Sequence, residues 1–414
     1  MNSSIFKKIV GSREIKNGSL LGFGHVLTLL LGLGSTIVWT RWMPIEMYGQ
    51  FKVVIGVISF AGAFCSLGIG QIALMSASKG ADGNLGPLIR KKFLANWFGS
   101  SVIMCVAAYY FFLRKDSIEL AYGLALAALI FPLYNIADLW PGWFNGKSRF
   151  LWLASGRSLN GGLLFFAVVV LALFDVSSIW LVISMIMLSI SLLNIWLLNK
   201  ALTLRQNSDY DSSLLKFGRH ASIALMFSSI LALDVVFLEN FHTLEVVAVY
   251  SVSLVLPGLL KAVFGIVGQV AAPKIYSTDS PVELWKYFKK KFIWLTLGFT
   301  LLGTLGFLTI PFIVPLLFSE EYMVAGIYAK WLWLVICCSG SFSYLGLALL
   351  ATKRPKYTYI PNVGAPAVTV LLWIALIEYG AAGMICARCV QAILLSMYYV
   401  IAFSNLLDAF RARS

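Results

Sequence analysis

Apolar stretches long enough to cross a lipid bilayer follow one another along almost the whole chain of 414 residues. A helix needs about 20 apolar residues to cross the hydrocarbon core of a membrane, and short polar segments separate twelve such stretches here. Only 12% of the residues are charged, whereas soluble domains contain about 25%. No polar segment is long enough to form a domain of its own. We therefore predict an all-α integral membrane protein with twelve transmembrane helices.

The hydrophobic pattern assigns each predicted helix a range, and we number these ranges span 1 to span 12. They cover about residues 19–40, 51–75, 93–113, 118–139, 150–173, 177–198, 216–238, 246–270, 292–318, 327–351, 359–377 and 381–403. The N-terminal segment before span 1 is polar and basic, and span 1 lacks a cleavage site of small residues. Span 1 is therefore predicted to be retained as a membrane helix.

Lysine and arginine are distributed unequally between the two sides of the predicted membrane. Most of the 32 basic residues lie in the terminal segments and in the loops on the same side as the termini. The opposite side has few: Arg41, Lys52, Arg114, Lys115 and Lys330. By the positive-inside rule, both termini are predicted to be cytoplasmic. The net charge of +14 then lies beside anionic lipid, and it indicates no nucleic-acid partner.

Two segments of the chain resemble each other at a distance of about half its length. Residues 45–73 and 244–271 both contain a glutamate, then an aromatic residue (Phe51 or Tyr250), then an apolar helix that ends on Gly-Gln-Ile/Val-Ala. With six predicted helices in each half, this favours two parallel, pseudo-symmetric six-helix bundles around a central cavity. The predicted N-terminal lobe is 1–199, the cytoplasmic linker is 200–213, and the C-terminal lobe is 214–414.

Several segments, in order along the chain, resemble one family of membrane proteins. TRWMPIEMYGQF and SLGIGQIALMSASKG resemble the exit of helix one and helix two of Wzx-type polysaccharide exporters, the O-antigen flippases of the MOP superfamily. WFNGKSRF is similar to the family's turn before helix five, and LLKFGRHASI with LDVVFLENFHTLEVVAVYSVS is similar to its helix seven and the entry to helix eight. PFIVPLLFSEEYMVAG resembles the end of helix nine, and ALLATKRPKY resembles the basic loop after helix ten.

The resemblance implies a function as well as a fold. Members of this family move an undecaprenyl-diphosphate-linked oligosaccharide from the cytoplasmic to the periplasmic leaflet by alternating access. The resemblance thus implies the bacterial inner membrane as the location and a lipid-linked oligosaccharide as the substrate. Membrane lipids, a polysaccharide polymerase and a chain-length regulator are the further candidate partners.

Three basic residues fall inside the predicted spans: Arg157, Lys261 and Arg388. A charge at the bilayer centre costs about 2.5–3.5 kcal/mol on insertion scales, so such residues usually face a protein interior or a water-filled cavity. A long side chain near a helix end can instead extend to the membrane surface, and both interpretations stay open for all three. Ser155, Ser158 and Asn160 give the surroundings of Arg157 a small, polar character that favours a cavity.

An anionic lipid diphosphate would interact favourably with these cations. The planar guanidinium of Arg157 can hold two phosphate oxygens at once. We predict that Arg157 and Lys261 receive the substrate on the cytoplasmic side, with Asn160 as a polar cavity residue. Arg388 and Arg41, nearer the periplasm, are predicted to stabilise the outward-facing state.

Two acidic residues lie in or at the end of predicted spans. Asp138 lies at the inner end of span 4, where it is either a polar helix end or a site for a coupling ion. Asp234 lies one turn from the outer end of span 7, where it could carry a coupling proton or sodium ion or pair with a cation. The three histidines are scattered, and Cys386-x-x-Cys389 has no second cysteine pair. No metal site, catalytic residue or other cofactor is therefore predicted.

Two other functions are compatible with parts of this pattern. A MATE-like antiporter for small solutes or drugs would keep the fold, but cationic drugs favour acidic binding sites, and three cations face two acids within these spans. A membrane-integral glycan polymerase needs an extramembrane loop that holds donor and acceptor, and every outer loop here is short. The sequence therefore favours a flippase without chemistry of its own.

Overall fold

A computed structural model of the chain describes residues 13–66, 68–114, 117–176, 178–211, 226–276, 281–351 and 356–411. These residues are helical almost throughout and contain no strand. Ten helical stretches among them are long and apolar enough to cross a membrane. One of these, Ile360–Asp408, contains two helices that pack against each other, and span 7 lies partly in residues 212–225, outside the described part. The all-α fold with twelve membrane helices is confirmed.

The chain divides into two compact units, Met1–Ala232 and Leu233–Ser414. The described helices of the first unit that correspond to spans 1 to 6 are α1 (Arg13–Trp42), α2 (Ile45–Ser66), α3 (Ile69–Ser78), α4 (Leu85–Leu113), α5 (Ile118–Tyr134), α6 (Leu139–Gly146), α7 (Phe150–Leu173) and α8 (Ile179–Thr203). A short 3₁₀ turn, Asp82–Asn84, precedes α4. The predicted limits of the lobes at residues 199 and 214 stay predictions.

The second unit continues span 7 after a 3₁₀ turn at Ile230–Leu233. Its described helices are α9 (Asp234–Phe241), α10 (Leu244–Ser253), α11 (Val255–Tyr276), α12 (Pro281–Phe318), α13 (Met323–Gly340), α14 (Phe342–Ala351), α15 (Lys356–Tyr359), α16 (Ala365–Leu376) and α17 (Gly380–Arg411). A π-helical segment, Ile360–Gly364, joins α15 to α16. The 38 residues of α12 are about 57 Å long at 1.5 Å per residue, so α12 extends well beyond the bilayer core.

Four predicted spans are each divided into two helices, and a glycine or a proline lies at or near three of the divisions. Gly68 separates α2 from α3 in a left-handed conformation with φ 61°, which glycine adopts readily. Pro132 lacks the N–H that would bond one turn back, and a 3₁₀ turn at Asn135–Asp138 follows it. Pro257 lies in the first turn of α11, where its missing N–H is tolerated. The tenth span is interrupted at Ser341.

The two units share one order of helix packing. In the first unit, α4 packs on α5, α5 on α8 and α7 on α8, which pairs span 3 with 4, 4 with 6, and 5 with 6. In the second unit, α12 packs on α13, α13 on α17 and α16 on α17, which pairs span 9 with 10, 10 with 12, and 11 with 12. The repeated packing confirms two pseudo-symmetric six-helix bundles.

Small residues allow the closest helix contacts of the first unit. Gly24 of α1 lies against Ala154 of α7, and a Cβ at Gly24 would be 2.8 Å from the Ala154 Cβ. Gly142 and Gly146 of α6 face the backbone of α3, where any added Cβ would overlap carbonyl oxygens of Gly70 and Leu74. These contacts fix the positions of α7, which carries Arg157 and Asn160, and of α6, which carries Trp140.

Candidate functional site

Arg388, the cation in span 12, is held by a buried polar group in the second unit. One terminal nitrogen of its guanidinium forms an ion pair with Oδ2 of Asp234 in α9. Its Nε donates a hydrogen bond to the Tyr250 hydroxyl of α10, 2.6 Å away. That hydroxyl donates in turn to Oδ2 of Asp234. We call these three residues the Asp234–Tyr250–Arg388 triad.

The triad explains how an acid and a base are tolerated inside apolar helices. Asp234 is 3% exposed and Tyr250 is fully buried. The second carboxylate oxygen of Asp234 accepts the backbone N–H of Val235 at 2.8 Å. Both oxygens therefore have donors, as a buried charge requires. Of the two alternatives that the sequence left open for Asp234, the structure contains the ion pair with a cation.

The arginine side of the triad remains partly open. Asp234 has only 5% of its side-chain surface exposed, whereas Arg388 has 26%. Lys261 is exposed on α11, and the charge of Arg388 acts on it. Asp234 compensates only one of the two positive charges of Arg388 and Lys261. An anion is the ligand that such an arrangement favours.

Arg157 lies in the first unit, half-buried on α7. The preceding residue, Gly156, lets α7 approach the Trp140 ring closely, and Ser158 donates to the backbone carbonyl of Gly24 at 3.4 Å. The charge of Arg157 also acts on His25 of α1. Contacts with α1 and α6 on both sides therefore fix the position of Arg157.

Asn160 lies one turn beyond Arg157 and joins an amide cluster. Its Nδ2 donates to Oδ1 of Asn194 in α8 at 3.3 Å, and the same oxygen accepts the Trp140 indole N–H at 3.0 Å. Among the described residues, Oδ1 of Asn160 and Nδ2 of Asn194 are buried without a hydrogen-bond partner. The cluster thus keeps one acceptor and one donor for a further polar group.

An Asn194→Leu substitution is expected to destabilise the protein by about 1–3 kcal/mol, because it leaves the buried Trp140 N–H without an acceptor. Thermal unfolding of the purified protein in detergent measures this loss. Asn199→Leu is the matched control, since Asn199 is exposed on the same helix. Equal melting temperatures for the two variants would contradict the role of Asn194.

The remaining predicted site residues are less well defined. Arg41 is exposed in the last turn of α1. Asp138 ends the 3₁₀ turn between α5 and α6, and its side chain lies outside the described part of the chain. The roles predicted for Arg41 and Asp138, like those of Arg157, Lys261 and Asn160, stay predictions.

Three residues of these clusters were not identified from the sequence as site residues. Tyr250 was noted only as the aromatic residue of the internal repeat, although its hydroxyl connects Asp234 to Arg388. Asn194 is an amide in the middle of an otherwise apolar span, a signal that could have indicated it. Trp140 gave no such signal, because an interfacial tryptophan has the same sequence context.

No protein-family model matches the sequence, and no curated protein matches it either. Solved structures do match. The structure of "Lipid II flippase MurJ, inward closed conformation" has a TM-score of 0.68 and 13% identity, and the match covers 95% of this chain and 91% of that one. An inward-facing multidrug resistance MATE family transporter of the MOP superfamily has a TM-score of 0.64 and 13% identity, with 92% and 96% covered.

A third match is a MOP superfamily transporter from Pyrococcus furiosus, described as having a binding pocket of reverse polarity. Its TM-score is 0.65 at 14% identity, and the match covers 95% of each chain. At identities this low the similarity establishes the fold and nothing further. The chain has the fold shared by a lipid II flippase and by MATE transporters, both members of the MOP superfamily.

Proposed function

We propose that this protein is a flippase for an anionic, lipid-linked oligosaccharide. The proposed substrate is an undecaprenyl-diphosphate-linked unit of O-antigen or a related surface polysaccharide. Transport runs from the cytoplasmic to the periplasmic leaflet of the bacterial inner membrane by alternating access, with both termini cytoplasmic. The polysaccharide polymerase and the chain-length regulator are the proposed protein partners.

The observation that carries the proposal is the excess of positive charge within the membrane-spanning part of the second unit. Arg388 is oriented by Asp234 and Tyr250, yet 26% of its side-chain surface stays exposed, and its charge acts on Lys261. A lipid diphosphate loses much of its hydration when it leaves the headgroup layer, and fixed cations reduce that cost. Arg157 of the first unit, half-buried on α7, can contribute in the same way.

The same ion pair suggests how transport could be coupled to an ion gradient. A diphosphate that binds Arg388 competes with the Asp234 carboxylate for the guanidinium. Once released, the buried carboxylate needs another cation, because an unpaired charge in a low-dielectric environment is unfavourable. A proton or a sodium ion would supply that charge, which makes Asp234 the proposed coupling residue.

The structure gives less support to the two rival functions. A MATE-like antiporter of cationic solutes needs an acid that is available to the solute, and Asp234 is occupied by Arg388 and Tyr250. The similar solved structures are of a flippase and of transporters.

Translocation in proteoliposomes tests the proposal. The purified protein is reconstituted with a fluorescent undecaprenyl-diphosphate oligosaccharide, and the fraction that becomes accessible in the opposite leaflet is measured. Arg157→Ala and Lys261→Ala are each expected to slow translocation at least about tenfold, since a hydrogen bond to a charged group contributes about 1.5–3 kcal/mol. Each variant must elute as a folded monodisperse protein at the wild-type level.

Lys289→Ala is the matched control, because Lys289 is an exposed lysine of the second unit outside the predicted spans. It is expected to translocate at the wild-type rate. Wild-type rates for both Arg157→Ala and Lys261→Ala would remove these cations from the transport path. Failure of the folded wild-type protein to move any lipid-linked glycan would exclude the flippase function and favour an antiporter.

A further inference from the structure

A second basic region lies outside the membrane-spanning cations, at the end of the first unit where α6 connects to α7. There a pocket of about 340 Å³ is lined by Trp143, Lys147, Ser148 and Arg149, together with Gln206 from the segment after α8. It is separate in sequence from Arg157 and from the amide cluster of Asn160 and Asn194. None of the residues proposed for transport lines it.

The pocket contains one cation that is held in an ion pair and one that is exposed and has no such partner among the described residues. The Lys147 ammonium pairs with the fully buried Asp82 carboxylate at 2.6 Å and lies 5.6 Å from the centre of the Trp143 ring. Arg149 is exposed and has no ion-pair partner among the described residues. Since Asp82 compensates Lys147, the charge of Arg149 remains available to an anion.

The start of α7 adds further positive potential. Ser148 and Arg149 precede α7 directly, and no side chain caps the N–H groups of its first turn. Unpaired N–H groups at a helix N-terminus carry a partial positive charge and bind phosphate groups well. Ser148, at φ 54°, places an exposed hydroxyl in the same turn.

Aromatic residues place the pocket beside the membrane surface. The rings of Trp152 and Trp196 lie 5.8 Å apart, and the Lys200 ammonium lies 5.5 Å from the Trp152 ring. Tryptophan and lysine at helix ends are typical of the headgroup layer. The residues of the pocket immediately precede Trp152 and follow Lys200 in the chain, so the pocket lies at the depth of lipid phosphates.

One wall of the pocket belongs to the segment that follows α8, and this segment is docked on the 3₁₀ turn before α4. The Gln206 N–H donates to Asp82 Oδ2 at 2.7 Å, and the Gly83 N–H donates to the Asp209 carbonyl at 2.8 Å. Asn84 forms two hydrogen bonds of 3.0 Å with the backbone of Asp211. The backbone of residues 206–211 is thereby fixed beside the pocket.

We propose that this pocket binds the phosphate of an anionic phospholipid headgroup, and that bound lipid stabilises the docked form of residues 206–211. Arg149 and the first turn of α7 hold the phosphate, and Ser148 donates a hydrogen bond to it. Because Gln206 lines the same pocket, an occupied site opposes release of the segment from Asp82. Anionic lipid would then control whether residues 206–211 stay docked on the first unit.

Native mass spectrometry of the full-length protein, released from nanodiscs, tests the site. Wild type is expected to retain phosphatidylglycerol in preference to phosphatidylcholine. Arg149→Gln and Gln206→Glu are expected to lower that retention at least about threefold, whereas Gln206→Lys is expected to raise it. The Gln206 variants keep the backbone bond to Asp82, so opposite effects of the two charges cannot come from misfolding. Arg90→Gln, an exposed arginine in the first unit outside the pocket, is the control.

Hydrogen exchange provides the second measurement. Phosphatidylglycerol nanodiscs are expected to slow exchange at the amides of Gln206 and Asp211 relative to phosphatidylcholine nanodiscs, and Arg149→Gln is expected to abolish the difference. Equal lipid retention by wild type, Arg149→Gln and both Gln206 variants would overturn the proposal. Displacement of phosphatidylglycerol by millimolar inorganic phosphate would overturn the lipid as the ligand and indicate a soluble phosphate instead.

Discussion

An Arg388→Gln variant is expected to lose about 3–5 kcal/mol of folding free energy and to stop translocating substrate. The substitution removes the cation from a buried pair, so Asp234 is left as an uncompensated charge at 3% exposure. It also removes the donor to the Tyr250 hydroxyl. Thermal unfolding in detergent and the proteoliposome assay measure the two effects.

A second substitution separates stability from transport. Asp234→Asn/Arg388→Gln removes both charges, so the double variant is expected to recover much of the stability that either single variant loses. Its translocation is expected to stay absent, because the cation proposed to bind the substrate is still missing. If the stability losses of the two single variants simply add in the double variant, Asp234 and Arg388 do not interact. If transport returns, Arg388 has only a structural role.

Arg388→Lys tests the geometry of the same site. Lysine keeps the charge but cannot bond Asp234 and Tyr250 with two nitrogens of one rigid plane. This variant is expected to fold, with a melting temperature between those of wild type and Arg388→Gln. Lys289→Gln controls for the loss of a positive charge elsewhere in the second unit.

Gly142→Ala is expected to destabilise the first unit by about 3 kcal/mol, the upper end of the usual range for an overpacked contact. The added Cβ would overlap the carbonyl oxygen of Gly70, a backbone atom that cannot rotate away. Helices α3 and α6 would therefore have to separate. The yield of folded protein and its melting temperature measure the effect.

Gly162→Ala is the matched control for this prediction. Gly162 lies within α7, and a Cβ there would have nothing within 4 Å. Alanine favours a helix over glycine by about 0.5–1 kcal/mol, so this control is expected to be slightly more stable than wild type. The same sign for both substitutions would show that α3 and α6 do not depend on the close contact at Gly142.

The positions of the membrane helices could be predicted from the sequence because apolar and polar segments alternate over long ranges. The interruptions were harder to predict. Pro132 and Gly68 lie in segments that are as apolar as their neighbours. The hydrophobic pattern therefore did not indicate that the helix is interrupted there. Lysines in the first turns of α12 also hid its true start at Pro281, since a helix that leaves the membrane becomes polar without ending.

The sequence indicated individual residues of the candidate site, but it did not indicate which of them contact each other. Charges within apolar spans identified Arg388 and Asp234, yet 154 positions separate them and no periodicity connects them. The internal repeat aligned Tyr250 with Phe51, whose ring lies 4.7 Å from that of Trp39. The same position thus serves apolar packing in one unit and a polar triad in the other. Only packing in three dimensions distinguishes those two uses.

The triad also has a consequence for the biosynthesis of the protein. Asp234 belongs to span 7 and Arg388 to span 12. The ribosome therefore synthesises Asp234 well before its ion-pair partner. An acidic side chain within a membrane helix is costly unless it is paired, and until then Asp234 lacks the cation that compensates its charge. Emergence of the last helix removes that cost. The final span therefore completes the second unit. In a chain truncated before Arg388, Asp234 has no ion-pair partner within the bilayer.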